Sequence, residues 1–338
     1  MNSRWRFVLV LSLLASAWAA SSGYHLLKKV TLGGEGSWDY LVSDSAQNRL
    51  FITRATHVMV MDTGAWTSAG DIPDTAGVHG VALAADLGKG FTSNGRADTA
   101  TVFDLKTLKV LGQVKTGHIP DAILYDPASH RVFTFNAGTK DATAIDAAGQ
   151  SVAGSVALGG KPEFAAADGQ GNIYVNIEDK GEIIQFDARK LTVLAHWPLA
   201  PCQEPSGLAI DAKNRRLFSG CDNKLLAVVN ADTGKVVATL PIGEGVDATA
   251  YDPETRLVFS SNGEGTLTVI QQESADKYTV LENVVTERGA RTMALDSRSH
   301  NVYTVTADFG PPPAPTADNP HPRRSIVAGS FRLLVLGK

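Results

Sequence analysis

Apolar residues fall in short runs, broken by turn residues, and the runs recur at a nearly fixed spacing. The clearest copy is Val246 to Gly265, VDATAYDPETRLVFSSNGEG: an apolar strand, an Asp-Pro turn, a second apolar strand carrying Phe259, then Ser-Asn-Gly. Similar segments begin at Pro120, Pro205 and Arg291. The aromatic of the second strand recurs at Phe51, Phe91, Phe133, Tyr174, Phe218, Phe259 and Tyr303, with gaps of 40, 42, 41, 44, 41 and 44 residues. A period in the forties built from strands and turns predicts an all-β chain folded as a β-propeller, about one blade per repeat. Each repeat buries its faces only against its neighbours, so the ring is read as one domain over 21–338 although the length alone suggests two.

Six complete repeats are predicted at 38–78, 79–120, 121–162, 163–205, 206–246 and 247–290. The segment 24–33, YHLLKKVTLG, resembles the closing strand of the fifth repeat, Lys235 to Gly243. The C-terminal Ser330 to Leu336 resembles the strand before such a closing strand. The N-terminal strand is therefore expected to complete a seventh blade made of 291–338 plus 24–33, leaving no open edge in that sheet. Asp126-Pro127 and Asp252-Pro253 mark turns, and Asp62, Asp104, Asp146, Asp187 and Asn230 precede others, where the side chain is expected to cap its own turn. Phe309 to Ser325, FGPPPAPTADNPHPRRS, is too rich in proline for ladder strand. It is placed between the second and third strands of blade 7, as a surface loop or as a docking arm carrying His321, Arg323 and Arg324.

The first 20 residues stand outside this pattern. Arg4 and Arg6, an apolar run from Phe7 to Leu14 and Ala17-Trp18-Ala19 read as a secretory signal peptide. The run is shorter than the roughly 20 apolar residues that span a bilayer. The protein is expected to be periplasmic or secreted, without a membrane span after cleavage. Loss of the two arginines takes the formal charge of −4 to −6, which disfavours nucleic acid and anionic lipid as partners.

Phe-Thr-Ser-Asn94, Phe-Thr-Phe-Asn136, Tyr-Val-Asn176 and Phe-Ser-Ser-Asn262, with the Gly-Lys-Val-Val-Ala-Thr-Leu stretch at 234–240, resemble the YVTN-type β-propeller repeat family. The resemblance covers nearly all of 24–338. It implies an exported seven-bladed propeller acting as a binding or scaffold module. Similar propellers also form parts of lactonases, cofactor-bearing dehydrogenases and denitrification enzymes.

Strand order places the candidate chemistry. Connections from the fourth strand to the next blade, and from the second strand to the third, share one face, and first strands line the central channel. Residues opening the first strands ring the channel mouth: Asp39, His79, Asp121, Glu163, Ser206, Asp247 and Arg291. Residues closing the second strands are expected just outside: Arg54, Asn94, Asn136, Asn176, Cys221, Asn262 and Thr306. His118 is a secondary candidate on the same face. This ring is either a solvated polar ring, partly neutralised by Arg54 and Arg291, or a ligand site. Asp121, Glu163 and Asp247 are the candidate ligands of a divalent cation, calcium or zinc. Crowded carboxylates can also act as bases. Cys202 and Cys221, the only cysteines, fall on this face, where an oxidising compartment favours a disulfide. The competing two-thiolate metal site lacks neighbouring histidines. Covalent haem, HExxH, phosphate-loop and GxSxG motifs are absent.

The leading expectation is a monomeric exported scaffold that recognises a protein partner or small molecule at the channel mouth. Two alternatives stand beside it: a metal-assisted, lactonase-like hydrolase or lyase, and the propeller subunit of a periplasmic redox complex.

Overall fold

A computed structural model describes residues 21–34, 36–314 and 324–338. The predicted signal peptide, His321 and Arg323 lie outside these residues. Twenty-eight strands form seven four-stranded antiparallel sheets. Blades 1 to 6 span 41–72, 78–115, 120–157, 162–198, 205–241 and 246–285, each a meander of strands a, b, c and d. Blade 7 takes Met293–Leu295, Val302–Thr306 and Arg332–Gly337, and its fourth strand is the N-terminal His25–Thr31. That strand pairs antiparallel from His25 opposite Gly337 to Thr31 opposite Arg332. The seven-bladed ring and its closure are as the repeat predicts.

The recurring aromatic holds each blade to the next. All seven copies are buried. Phe51 packs on Phe103 of blade 2, Phe133 edge-on to Phe186 of blade 4 and Phe259 edge-on to Tyr24, while Tyr303 meets Trp66 of blade 1. Such ring pairs add about 0.5–1.5 kcal/mol each beyond the area they bury. The period is therefore visible because every interface between blades needs the same bulky side chain.

The turn acids behave as expected. Asp62 accepts from the Gly64 and Ala65 N–H groups, Asp104 from Lys106 and Thr107, and Asp187 from Arg189 and Lys190. Asn230 does the same for Asp232 and Thr233. These carboxylates satisfy backbone donors that a tight turn leaves unpaired.

Arg54 closes the ring at a second point. Its guanidinium is buried, donates to the Gly33 and Gly36 carbonyls at 3.1 and 3.3 Å, and lies 3.8 Å over the Phe331 ring. Burial lowers its pKa. It thus joins blade 1 to the linker after the N-terminal strand and to the residue before the last strand. The Cys202–Cys221 disulfide forms, with Cα atoms 5.5 Å apart. It ties the connection entering blade 5 to the end of that blade's second strand. The proline-rich stretch leaves the sheet after Val302–Thr306 and returns at an isolated bridge between Phe309 and Ile326.

Deleting 24–33 removes a full ladder and exposes the edge of Arg332–Gly337. The truncated protein is expected to lose several kcal/mol, on the order of 10 °C in Tm; equal thermal melts for the two proteins would contradict closure by this strand. Reduction of the disulfide restores loop freedom to the unfolded chain and should cost about 3 kcal/mol. Alkylation mass spectrometry should find two reactive thiols only after reduction and denaturation.

Candidate functional site at the channel mouth

The mouth is built by a repeated irregularity. Strand a leaves its ladder for two residues between Val78 and Val81, Pro120 and Ile123, Pro162 and Ala165, Pro205 and Leu208, and Val246 and Thr249. The first residue freed in each case is His79, Asp121, Glu163, Ser206 or Asp247. A bulge bends the strand and re-aims the side chain, here into the channel. Asp39 and Arg291 stand just before the shorter first strands of blades 1 and 7. All seven predicted openers line one cavity of about 660 Å³.

Backbone groups freed by the bulges are held by side chains from second strands. The Ser93 hydroxyl accepts from the Gly80 N–H at 2.9 Å and donates to the Asp121 carbonyl of the next blade. Ser261 donates to the Arg291 carbonyl, and Asn176 donates to the Ser206 and Gly207 carbonyls at 2.8 and 3.2 Å. The serine of Phe-Thr-Ser-Asn94 and Phe-Ser-Ser-Asn262 thus positions the neighbouring mouth residue.

The asparagines do something else. Asn94 accepts from Thr92 and donates to Thr99 and Thr101, Asn136 joins Thr134, Asp141 and Thr143, and Asn262 joins Ser260, Thr266 and Thr268. All three are fully buried cross-strand braces within their own blades, outside the cavity lining. Asn176 is offset by one residue: Ile177 and Cys221, not Asn176, occupy the position of Asn94. Arg54 is likewise absent from the lining, engaged in the closure described above. His118 pairs with Asp98 at 3.0 Å outside it. The expected outer ring is therefore an internal brace, because a residue closing a strand in register points between sheets, whereas one released by a bulge points into the channel.

Sequence reading missed the floor and the rim. Tyr40 is buried beneath the mouth and meets Phe164 edge-on, with centroids 4.4 Å apart. Phe164 packs against three of the core clusters, so these two rings tie the mouth to the core. The signal was present: the residue after each opener is small at Gly80, Ala122, Gly207 and Ala248, and aromatic only at Tyr40 and Phe164. At Gly207 a Cβ would fall 2.5 Å from the Thr249 backbone nitrogen, so glycine lets adjacent first strands approach. Arg96, Lys161, Glu178, Glu204 and Asp222 complete the lining from loops on the same face.

The electrostatics are strongly coupled. His79 Nδ1 lies 2.6 Å from Asp39 Oδ2 and 3.4 Å from Asp121 Oδ1. Burial disfavours charge on His79, yet the Asp39 hydrogen bond and the Asp121, Asp39 and Glu163 charges outweigh it, and the imidazole pKa is raised. Asp121 is raised by burial, with the His79 charge opposing. Burial and then the Asp121 charge push Glu163 up to about 8, against Lys161, whose Nζ is 2.8 Å from Glu163 Oε1. Burial pushes Asp247 up to about 7, against Arg291, whose Nε is 3.8 Å from Asp247 Oδ2. That oxygen is buried and has no hydrogen-bond partner. Asp39, His79 and Asp121 bring one ligand atom each within 4.8 Å of one another, a set able to hold a metal ion. The metal set expected from sequence, Asp121, Glu163 and Asp247, shares only Asp121 with it.

No protein-family profile matches the chain, and no curated protein matches it. Solved structures do. The chain is similar to a structure of RRP9 WD40 repeats, with 12% identity, a TM-score of 0.75 and coverage of 95% of this chain and 99% of that one. A chain of the Mitotic Checkpoint Complex gives 14%, 0.73, 97% and 100%. A chain of Kuenenia stuttgartiensis Hydrazine Synthase gives 15%, 0.68, 81% and 95%. At these identities the likeness establishes the propeller fold alone. Among the described residues, no helix is long and apolar enough to cross a membrane.

The buried carboxyls give a pH signature. A group that binds its proton more tightly when folded contributes stability below its unfolded pKa, about 4 for these acids, and loses it as pH rises through the folded value. Stability should therefore fall between about pH 5 and pH 8 as Asp247 and Glu163 ionise, with His79 adding to the same trend as it deprotonates. The double variant Glu163→Gln/Asp247→Asn should show a flatter dependence, with Tm raised by at least about 2 °C at pH 8 and nearly unchanged at pH 5. Parallel melting curves across this range would mean that these groups ionise as freely in the fold as in the unfolded chain.

Proposed function

We propose that the protein is an exported binding scaffold whose channel mouth receives a positively charged group of a protein partner. The observation that carries this reading is the charge of the cavity. Seven carboxylates line it, against Arg96, Lys161, Arg291 and a histidine. Asp247 keeps a buried oxygen without a hydrogen bond, and a lysine or arginine head group would supply donors to it. Similar propellers occur in multiprotein assemblies, the checkpoint complex among them, which supports a scaffold role. The disulfide and the predicted leader support export.

The test is capture from the exported fraction on immobilised wild type, on Asp121→Asn/Asp247→Asn, and on a control altered at Lys106 on the opposite face. The expected result is a partner retained by wild type and the control, lost at least tenfold by the double variant, and released by salt. A partner held equally by all three would place recognition elsewhere.

A second reading rests on Asp39, His79 and Asp121. Two carboxylate oxygens and an imidazole nitrogen suit zinc or a similar cation, and a bound ion would support the hydrolase alternative by acidifying water. Here the His79–Asp39 contact would give way to two metal–ligand bonds. Elemental analysis of chelator-free protein, beside His79→Ala, decides it. One equivalent of metal lost in the variant establishes the site; metal-free wild type removes the hydrolase reading and leaves the scaffold.

A further inference from the structure

Beside the acidic mouth lies a second cavity of about 460 Å³ with the opposite character. Its apolar lining is Trp38, Phe309 and Ile326, and its charged lining is Arg288, Arg291 and Arg324. Among the described residues, no carboxylate lines it. Trp38 meets Phe309 at 6.1 Å and Phe331 at 5.1 Å between centroids, so its ring is braced from behind. Phe309 and Ile326 face each other across the bridge that closes the base of the proline-rich loop. Gly289, at φ +83°, lets the Phe309 ring lie against the 288–289 turn; a Cβ there would come within 2.8 Å of it.

The three arginines set the preference. Arg288 and Arg324 are exposed, and neither makes an ion pair among the described residues; Arg291 lies 3.8 Å from Asp247. Cations usually sit apart in water, since like charges repel. Three converging on an aromatic cleft form a receptor for an anion, and guanidinium groups match carboxylates in particular through two parallel hydrogen bonds. The aromatic walls favour a flat apolar body. Arg291 belongs to both cavities, so its fork spans the boundary between an acidic and a basic compartment.

We propose that the Trp38–Phe309 cleft, with Arg288, Arg291 and Arg324, is a binding subsite for an aromatic carboxylate. It shares Ser37, Trp38, Gly263 and Arg291 with the mouth, while Arg288, Phe309, Arg324 and Ile326 line the cleft alone and give it an anion preference of its own. The cleft would bind such an acid as a free small molecule.

The experiment is titration calorimetry or ligand-observed NMR with indole-3-acetate, using indole-3-acetamide as the same ring without the charge, since a cationic indole would also be drawn to the acidic mouth. Wild type should bind indole-3-acetate saturably and indole-3-acetamide at least about tenfold more weakly. Arg288→Ala and Arg324→Ala, both exposed and so without expected effect on melting, should each weaken indole-3-acetate about threefold to tenfold, the loss of one solvent-open charge contact. Phe309→Ala should weaken both compounds alike. Glu163→Gln, which alters the mouth alone, should leave indole-3-acetate unchanged. Absence of saturable binding, equal affinity for the two compounds, or arginine variants that bind as wild type would each overturn the proposal. Loss of binding in Glu163→Gln would overturn the independence of the two cavities.

Discussion

Closure of the ring is the constraint on which everything else rests. A blade has two apolar faces and can cover them only with its neighbours, so an open ring would leave two faces and a sheet edge in water. The chain meets this by sending its N-terminal strand back to Arg332–Gly337. Arg54 secures the same seam from inside, with its charge against the Gly33 and Gly36 carbonyls and its plane against Phe331. A buried guanidinium is costly unless its donors are met, so this arginine belongs to the architecture. Its position in the sequence, at the end of a second strand, gave no hint of that.

What repeats was legible, and what happens once was not. The interblade aromatic, the turn-capping acids and the residues opening the first strands all recur, and each recurrence reflects a physical need that every blade shares. Five of the openers reach the mouth because the bulge that frees them is part of the repeat, and Asp39 and Arg291 reach it from just before shorter first strands. The asparagines recur too, and that recurrence misled: it reflects a brace between strands b and c, used in the blades whose third strand opens on Thr-x-Thr or Asp-x-Thr. Repetition marks architecture unless the residue type changes from blade to blade. By that criterion the openers, which run Asp, His, Asp, Glu, Ser, Asp and Arg, stand apart from the asparagines that make the same brace in blades 2, 3 and 6. Fold is in the constant positions, and the site is in the variable ones.

The pairing of His79 with Asp39 and Asp121 was hidden for a geometric reason. Consecutive blades place their openers side by side around the axis, so residues about forty apart in sequence become neighbours. The nearest groups are therefore those of blades 1, 2 and 3, not the three carboxylates of blades 3, 4 and 6 that sequence reasoning selected by type. The same adjacency explains why Lys161 answers Glu163, only two residues away across the entry to blade 4.

The mouth holds more negative groups than its own cations can answer, and three kinds of positive charge compete for the surplus. Protons are the first, as the raised Glu163 and Asp247 show. Internal bases are the second, but Lys161 is divided between Glu163 and Glu178, and Arg291 approaches Asp247 without a hydrogen bond to its buried oxygen. The external cation proposed for the mouth is the third. Its entry must displace protons already held near neutral pH, so binding and proton release are linked, and affinity must rise with pH over the range in which those carboxyls ionise.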